Sequence, residues 1–105
     1  MKAIFAACLI ACAFAPFSAD AQSFPCSRAR TADEIAICQN SGLAALDVRL
    51  HNIYEGVRSR LHGRARQVLI DEELGWLASR RRCGGDAGCI EDSYRQRIDE
   101  LRSNY

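Results

Sequence analysis

Four cysteines beyond the N-terminal segment constrain this chain more than any other feature. They are Cys26, Cys38, Cys83 and Cys89. In a small exported protein, four cysteines predict two disulfide bonds, and three pairings are open. The spacing favours the local pairing, Cys26–Cys38 with Cys83–Cys89, and closing each short loop contributes about 2–3 kcal/mol. A domain this small is therefore expected to depend on covalent closure as well as on its core.

The N-terminal segment places the chain in an oxidising compartment. Residues 1–21 begin with the basic Lys2, continue with an uncharged apolar run over residues 3–17, and end with the small residues Ala19 and Ala21. This order predicts a secretory signal peptide cleaved after Ala21, because the apolar run is too short to span a membrane. We therefore expect a periplasmic or secreted protein.

The remaining chain, residues 22–105, is predicted to form one domain with a net charge of about +1. Cys8 and Cys12 leave with the signal peptide. Membrane attachment is expected only if Cys12 carries a lipid, and the apolar run that continues after Cys12 disfavours this alternative.

Helical spacing of apolar residues runs through the whole domain, and strand signals are nearly absent. Thr31 and Glu34 form a capping-box pattern, which predicts a short helix that ends near Cys38. After a break at residues 40–42, a second helix of about twenty residues has one apolar stripe, and Gly63 is predicted to end it. The stripe consists of Leu43, Leu46, Leu50, Ile53, Val57 and Leu61.

Two further helices are predicted after Gly63. The third covers about residues 65–82, with Ile70, Leu74 and Leu77 as its apolar stripe, widened by Leu69 and Trp76. The fourth follows a cap at Asp86 and presents Ile90, Tyr94, Ile98 and Leu101 on one face. The predicted fold class is all-α: a small antiparallel helical hairpin or bundle of about four helices, two of them long, with disulfides at the corners.

The chemistry-bearing residues do not match a known catalytic or metal pattern. The cysteine pairs are separated by eleven and five residues, which does not fit zinc-ligand spacing, and no CxxC or CxxCH motif is present. Asp71, Glu72 and Glu73 are consecutive, so on a helix their carboxylates diverge by about 100° per residue. We therefore expect no metal, no cofactor and no enzymatic activity.

Three consecutive arginines, Arg80, Arg81 and Arg82, precede a glycine-rich turn. Cations are favoured in the last turn of a helix by its dipole, and without a wider basic stripe they do not predict nucleic-acid binding. Gly84 and Gly85 end this helix, and a Cys83–Cys89 bond would make the corner rigid. These arginines and glycines are the predicted partner-binding residues.

An ordered set of residues along the chain matches a family pattern. It consists of Cys26, Glu34, Ile37 and Cys38, then Leu43 to Asp47 with Leu50 and Tyr54, then Trp76, Leu77, Arg81 and Cys83, then Cys89 and Ile90, and finally Tyr94, Arg97, Ile98 and Leu101. This set closely resembles the N-terminal domain of the LprI-like lysozyme inhibitors, over about residues 24–102. It departs at Glu73-Leu74-Gly75, where the family often has Gln-Arg before Trp76.

The resemblance implies an exported, helical, disulfide-bonded protein that binds and inhibits lysozyme. A rigid cationic corner suits this role, because a muramidase cleft carries two carboxylates. The alternative is a periplasmic module that binds another protein without inhibiting an enzyme, for which Trp76, Tyr54 and Tyr94 are typical interface residues.

Overall fold

The computed structural model describes residues 23–105, which form four α-helices joined by short connections. A 3₁₀ turn, Cys26–Arg28, precedes α1 (Ala32–Gln39), α2 (Ser41–Arg60), α3 (Gly63–Arg81) and α4 (Ala87–Asn104). No strand occurs in this range, so the all-α prediction is confirmed. The predicted signal peptide, with Cys8 and Cys12, lies outside the described residues.

The first two helices begin where the sequence supplies caps. The Glu34 carboxylate accepts hydrogen bonds from the Thr31 amide at 3.2 Å and from the Thr31 hydroxyl at 2.8 Å, which forms the predicted capping box. Asn40 begins α2, since its side-chain oxygen accepts from the amides of Gly42 and Leu43 at 3.0 and 3.1 Å. These bonds satisfy amides that have no partner inside a helix.

Both disulfides have the predicted local pairing. Cys26 bonds to Cys38 with their Cα atoms 5.8 Å apart, and Cys83 bonds to Cys89 at 5.5 Å. Asp86 lies inside the second loop and accepts from the Cys89 amide at 3.0 Å, so the same corner is closed covalently and capped.

Helix α4 is the centre of the packing. It packs extensively against α2 and also contacts α3 and α1, whereas α2 and α3 make little contact although they are consecutive. The buried apolar residues form one cluster: Ile37, Leu43, Leu50, Val57, Leu69, Ile90, Tyr94, Ile98 and Leu101. All four residues predicted for the inner face of α4 belong to it, which confirms that face.

Two details differ from the sequence predictions. Helix α4 has 18 residues, so three helices are long rather than two. Gly63 has the expected positive φ of 57°, but it begins α3 instead of ending α2. The reason is that α2 already stops at Arg60, and Leu61 is in an extended conformation.

The main correction to the predicted fold concerns which face of α3 is buried. Leu74, expected in the core, is 60 % exposed, whereas Leu69 is fully buried. Trp76 follows Leu69 by seven residues and Arg80 follows Trp76 by four, so helical spacing places all three on the same side of α3. The inner face of α3 is therefore offset from the stripe of Ile70, Leu74 and Leu77, because Arg80 is drawn inward by a buried polar network.

Candidate functional site

A buried network of polar side chains connects all four helices. Arg80 on α3 donates from Nε to Asp33 Oδ2 on α1 at 2.8 Å, and from Nη1 to the Tyr94 hydroxyl on α4 at 3.0 Å. The Tyr94 hydroxyl donates to Asp47 Oδ1 on α2 at 2.8 Å. Each of these four residues is at most 5 % exposed. One guanidinium and two carboxylates are therefore held inside the fold rather than offered to solvent.

Aromatic rings surround the Arg80 guanidinium. Its carbon lies 5.5 Å from the ring centroid of Trp76 and 5.8 Å from those of Tyr94 and Phe24. Trp76 meets Tyr94 edge to face with centroids 5.1 Å apart, and its indole nitrogen donates to the Ser93 carbonyl at 3.0 Å. These cation–π contacts stabilise a charge that has lost most of its water.

The network sets the protonation of its members. Burial alone would raise the pKa of Asp33, but the Thr31 hydroxyl and the Arg80 guanidinium outweigh burial and hold that pKa below its usual value. Burial and the Asp47 carboxylate raise the pKa of Tyr94, so its hydroxyl stays protonated and keeps donating to Asp47.

The first described residues are tied to this network. The Ser23 amide and hydroxyl donate to Asp47 at 2.7 and 2.8 Å, and the neighbouring Phe24 contacts Arg80. The segment before the first disulfide therefore packs against α2 and α3.

A second buried cation, Arg97, joins α4 to α3. Its guanidinium lies 3.4 Å from Glu73, 3.4 Å from Glu100 and 3.8 Å from Glu72. Burial raises the pKa of Glu73, and the charge of Arg97 offsets part of that rise. Asp71 and Glu72 are exposed, whereas Glu73 is half-buried and pairs with Arg97, so the three carboxylates diverge as predicted.

The predicted partner-binding residues divide into two groups. Arg80 is buried and paired with Asp33, so it is not accessible to a partner in this conformation. Arg81 and Arg82 are exposed at the end of α3. Gly84 follows with a φ of 58°, a left-handed conformation that favours glycine, and makes the tight corner before α4.

A groove opens between α2 and α3, where these two helices separate. It has a volume of about 390 Å³. Its apolar lining includes Ile70, Leu74 and Leu77, the stripe that the sequence predicts for the core. Arg81 lies at the groove, so the groove and the disulfide-closed corner form one continuous surface.

The remaining groove residues are polar or aromatic except for Leu50. They are Ser23, Phe24, Glu34, Asp47, Leu50, His51, Tyr54, Glu55, Glu73, Trp76 and Arg80. A concave surface that combines apolar and aromatic groups with a few polar ones is a candidate binding site. Among residues 23–105, no group of three or more histidine, cysteine or acidic side chains is placed to hold a metal ion.

No helix among the described residues is both long and apolar enough to cross a membrane.

The buried network was not predicted from the sequence, although the sequence contains one signal for it. Asp47 falls among the apolar residues of α2, at helical spacing from Leu43 and Leu50, where a charged residue is expected only if it is paired. Asp47, Tyr94 and Arg97 all belong to the ordered set that carries the family resemblance. In the structure these three residues hold helices together, so this part of the shared pattern reports the fold.

Comparison with known proteins identifies the family. The family model described as lysozyme inhibitor LprI matches residues 26–101, and the chain belongs to this family. The comparisons with curated proteins and with solved structures find no match.

Proposed function

We propose that this member of the LprI family is an exported protein that binds a muramidase and inhibits it by a protein–protein contact. The family match supplies the target class. The α2–α3 groove, continued by the corner at Arg81 and Arg82, supplies the contact surface.

The observation that supports this proposal is the apolar stripe on α3 that lies along the groove instead of packing into the core. Leu74 is 60 % exposed, and Ile70 and Leu77 line the groove beside it. A monomeric protein gains by burying such residues, at about 25 cal/mol for each Å² removed from water. A partner that covers the groove would provide this burial.

The corner beside the groove favours an enzyme with an acidic cleft. Arg81 ends α3 and Arg82 directly precedes the turn that the Cys83–Cys89 bond closes, so their backbone loses little entropy when a partner binds. The two carboxylates of a glycosidase cleft can accept hydrogen bonds from a guanidinium. The backbone of Gly84 and Gly85 lies at the same corner and can approach a partner closely.

The second candidate function is a periplasmic module that binds a protein without inhibiting an enzyme. The buried polar side chains favour a contact over catalysis, because Asp33 and Tyr94 are both already hydrogen-bonded to Arg80. Tyr54 and Trp76, which line the groove, are typical of interfaces in general. The groove alone fits either kind of partner.

A lysis assay separates the two candidates. Mature protein is mixed with lysozyme, and the turbidity of a bacterial cell suspension is followed while binding is measured by calorimetry. We expect slower lysis, and Leu74→Asp should weaken both binding and inhibition by about tenfold or more, since it places a charge in an apolar contact.

The matched control is Val68→Asp. Val68 is also an exposed apolar residue of α3, at 43 %, but it does not line the groove. We expect this variant to inhibit like the unaltered protein. Unchanged lysis at a large molar excess would contradict inhibition, and binding without slower lysis would support the second candidate.

A further inference from the structure

The corner between α2 and α3 concentrates positive charge. From residue 56 to residue 70 the chain has four arginines and no acidic residue. They are Arg58 and Arg60 at the end of α2, and Arg64 and Arg66 at the start of α3. The three consecutive arginines at residues 80–82 are the more obvious cluster in the sequence. The cluster at residues 58–66 lies at the opposite end of α3 and is the more exposed of the two.

Most of these arginines have no carboxylate partner. Arg58 lies 3.6 Å from Glu55, and Arg60 donates to the Gly56 carbonyl at 3.3 Å. Within residues 23–105, no acidic side chain forms an ion pair with Arg60, Arg64 or Arg66, and all three are exposed. Their charge is therefore available to an external anion.

The corner projects beyond the rest of the fold. The Tyr105 hydroxyl, at the end of α4, donates to Glu72 on α3 at 2.9 Å. Leu69, nearer the start of α3, is still fully buried, so the turns from Gly63 to Leu69 extend about 9 Å further at 1.5 Å per residue. Residues 62–68 are all exposed, which agrees with a protruding tip. We call residues 58–66 the basic tip.

Helix stability does not explain where the arginines stand. Arg64 and Arg66 lie near the N-terminus of α3, where the helix dipole disfavours cations, and no acidic residue occurs in that first turn. The opposite holds for Arg81, which lies at the favourable C-terminal end of the same helix. An arrangement that opposes the dipole is better explained by a ligand than by the fold.

We infer that the basic tip binds the surface of a membrane that contains anionic phospholipids. A convex tip with cations on both sides of a turn fits a flat anionic surface, whereas an extended polyanion such as duplex DNA needs a stripe along one face. Each arginine near such a surface strengthens binding by about fivefold, so four give about several hundredfold. This attachment is peripheral and reversible, and it depends neither on lysozyme inhibition nor on a lipid at Cys12.

Vesicle sedimentation tests the inference. Mature protein is mixed with vesicles of phosphatidylglycerol and phosphatidylcholine, or of phosphatidylcholine alone. We expect binding only to the anionic vesicles, and loss of that binding at about 1 M salt, where the screening length falls to about 3 Å. The double variant Arg64→Gln/Arg66→Gln should bind about 25-fold more weakly.

The control removes the same charge at the other end of α3. Arg81→Gln/Arg82→Gln should bind anionic vesicles like the unaltered protein. Circular dichroism checks that each variant keeps its helices, and Arg58→Gln/Arg60→Gln provides an independent change at the tip. Equal binding by the tip and control variants, equal binding to neutral vesicles, or tighter binding to duplex DNA than to anionic vesicles would overturn the inference.

Discussion

The two faces of α3 show opposite relations between polarity and burial. One face carries Leu69 and Arg80 into the core, where Arg80 forms a buried ion pair with Asp33, and Trp76 lies between this face and the groove. The other face carries the apolar residues Ile70, Leu74 and Leu77 along an open groove. On a helix that served only the core, these faces would be exchanged.

This difference indicates that the face with Arg80 stabilises the fold, whereas the face with Leu74 is available to bind a partner. A buried charge is retained only where other groups balance it, and Arg80 has two hydrogen-bond partners and three aromatic neighbours. The apolar stripe on the groove, with Leu74 exposed, makes no comparable set of contacts among residues 23–105. Substitutions on the two faces should therefore change different properties, stability on one and binding on the other.

The largest loss of stability is expected from Arg80→Ala. It leaves Asp33 and Tyr94 without their buried partner, and breaking such a pair costs about 3–5 kcal/mol. Arg81→Ala, at the exposed neighbouring position, should change the free energy of unfolding by no more than about 0.5 kcal/mol. Urea denaturation followed by circular dichroism measures both.

A double variant tests whether the cost comes from the unpaired charge. Asp33→Leu/Arg80→Met replaces both partners with apolar residues, and it should recover most of the lost stability. Equal losses in Arg80→Ala and Arg81→Ala would mean that the two positions do not differ as the structure shows.

The next comparison uses two leucines of α3. Leu69→Ala removes a fully buried side chain and should cost about 2–5 kcal/mol. Leu74→Ala changes a side chain that is 60 % exposed, and should cost about 0.5 kcal/mol or less. Thermal unfolding measures both. A larger loss at Leu74 would place the core on the stripe that hydrophobic periodicity predicts and would remove the groove as a binding face.

Local signals in the sequence were sufficient for most of the fold. The caps at Thr31, Asn40 and Asp86 and the local disulfides depend on neighbouring residues, so their spacing predicts them. The inner face of α3 could not be predicted in this way. It depends on contacts from Arg80 to Asp33, 47 residues away, and to Tyr94 on α4, which periodicity within one helix does not report.

The candidate site was predicted only in part, for the same reason. Arg80, Arg81 and Arg82 are identical in type and consecutive, so the sequence groups them, but α3 turns the first inward and leaves the others exposed. The groove arises because α2 and α3 separate, and that separation follows from how each packs on α4. No single segment contains this information.

The smallest expected effect is a dependence of stability on pH in two steps. One step comes from Glu73, the partner of Arg97, and the other from Asp33, the partner of Arg80. The pKa of Glu73 is raised by burial above its usual 4.5, so the folded protein takes up a proton there before the unfolded chain does. Stability should therefore rise slightly as pH falls through that raised pKa toward 4.5. The pKa of Asp33 lies below its usual 3.8. The stability that ionised Asp33 contributes is therefore complete above pH 3.8 and is lost as pH falls through the lowered pKa.

Urea denaturation between neutral pH and about pH 2 measures the profile. Glu73→Gln should remove the rise and Asp33→Asn should flatten the acid loss, whereas a rise that persists in Glu73→Gln would assign it to another group.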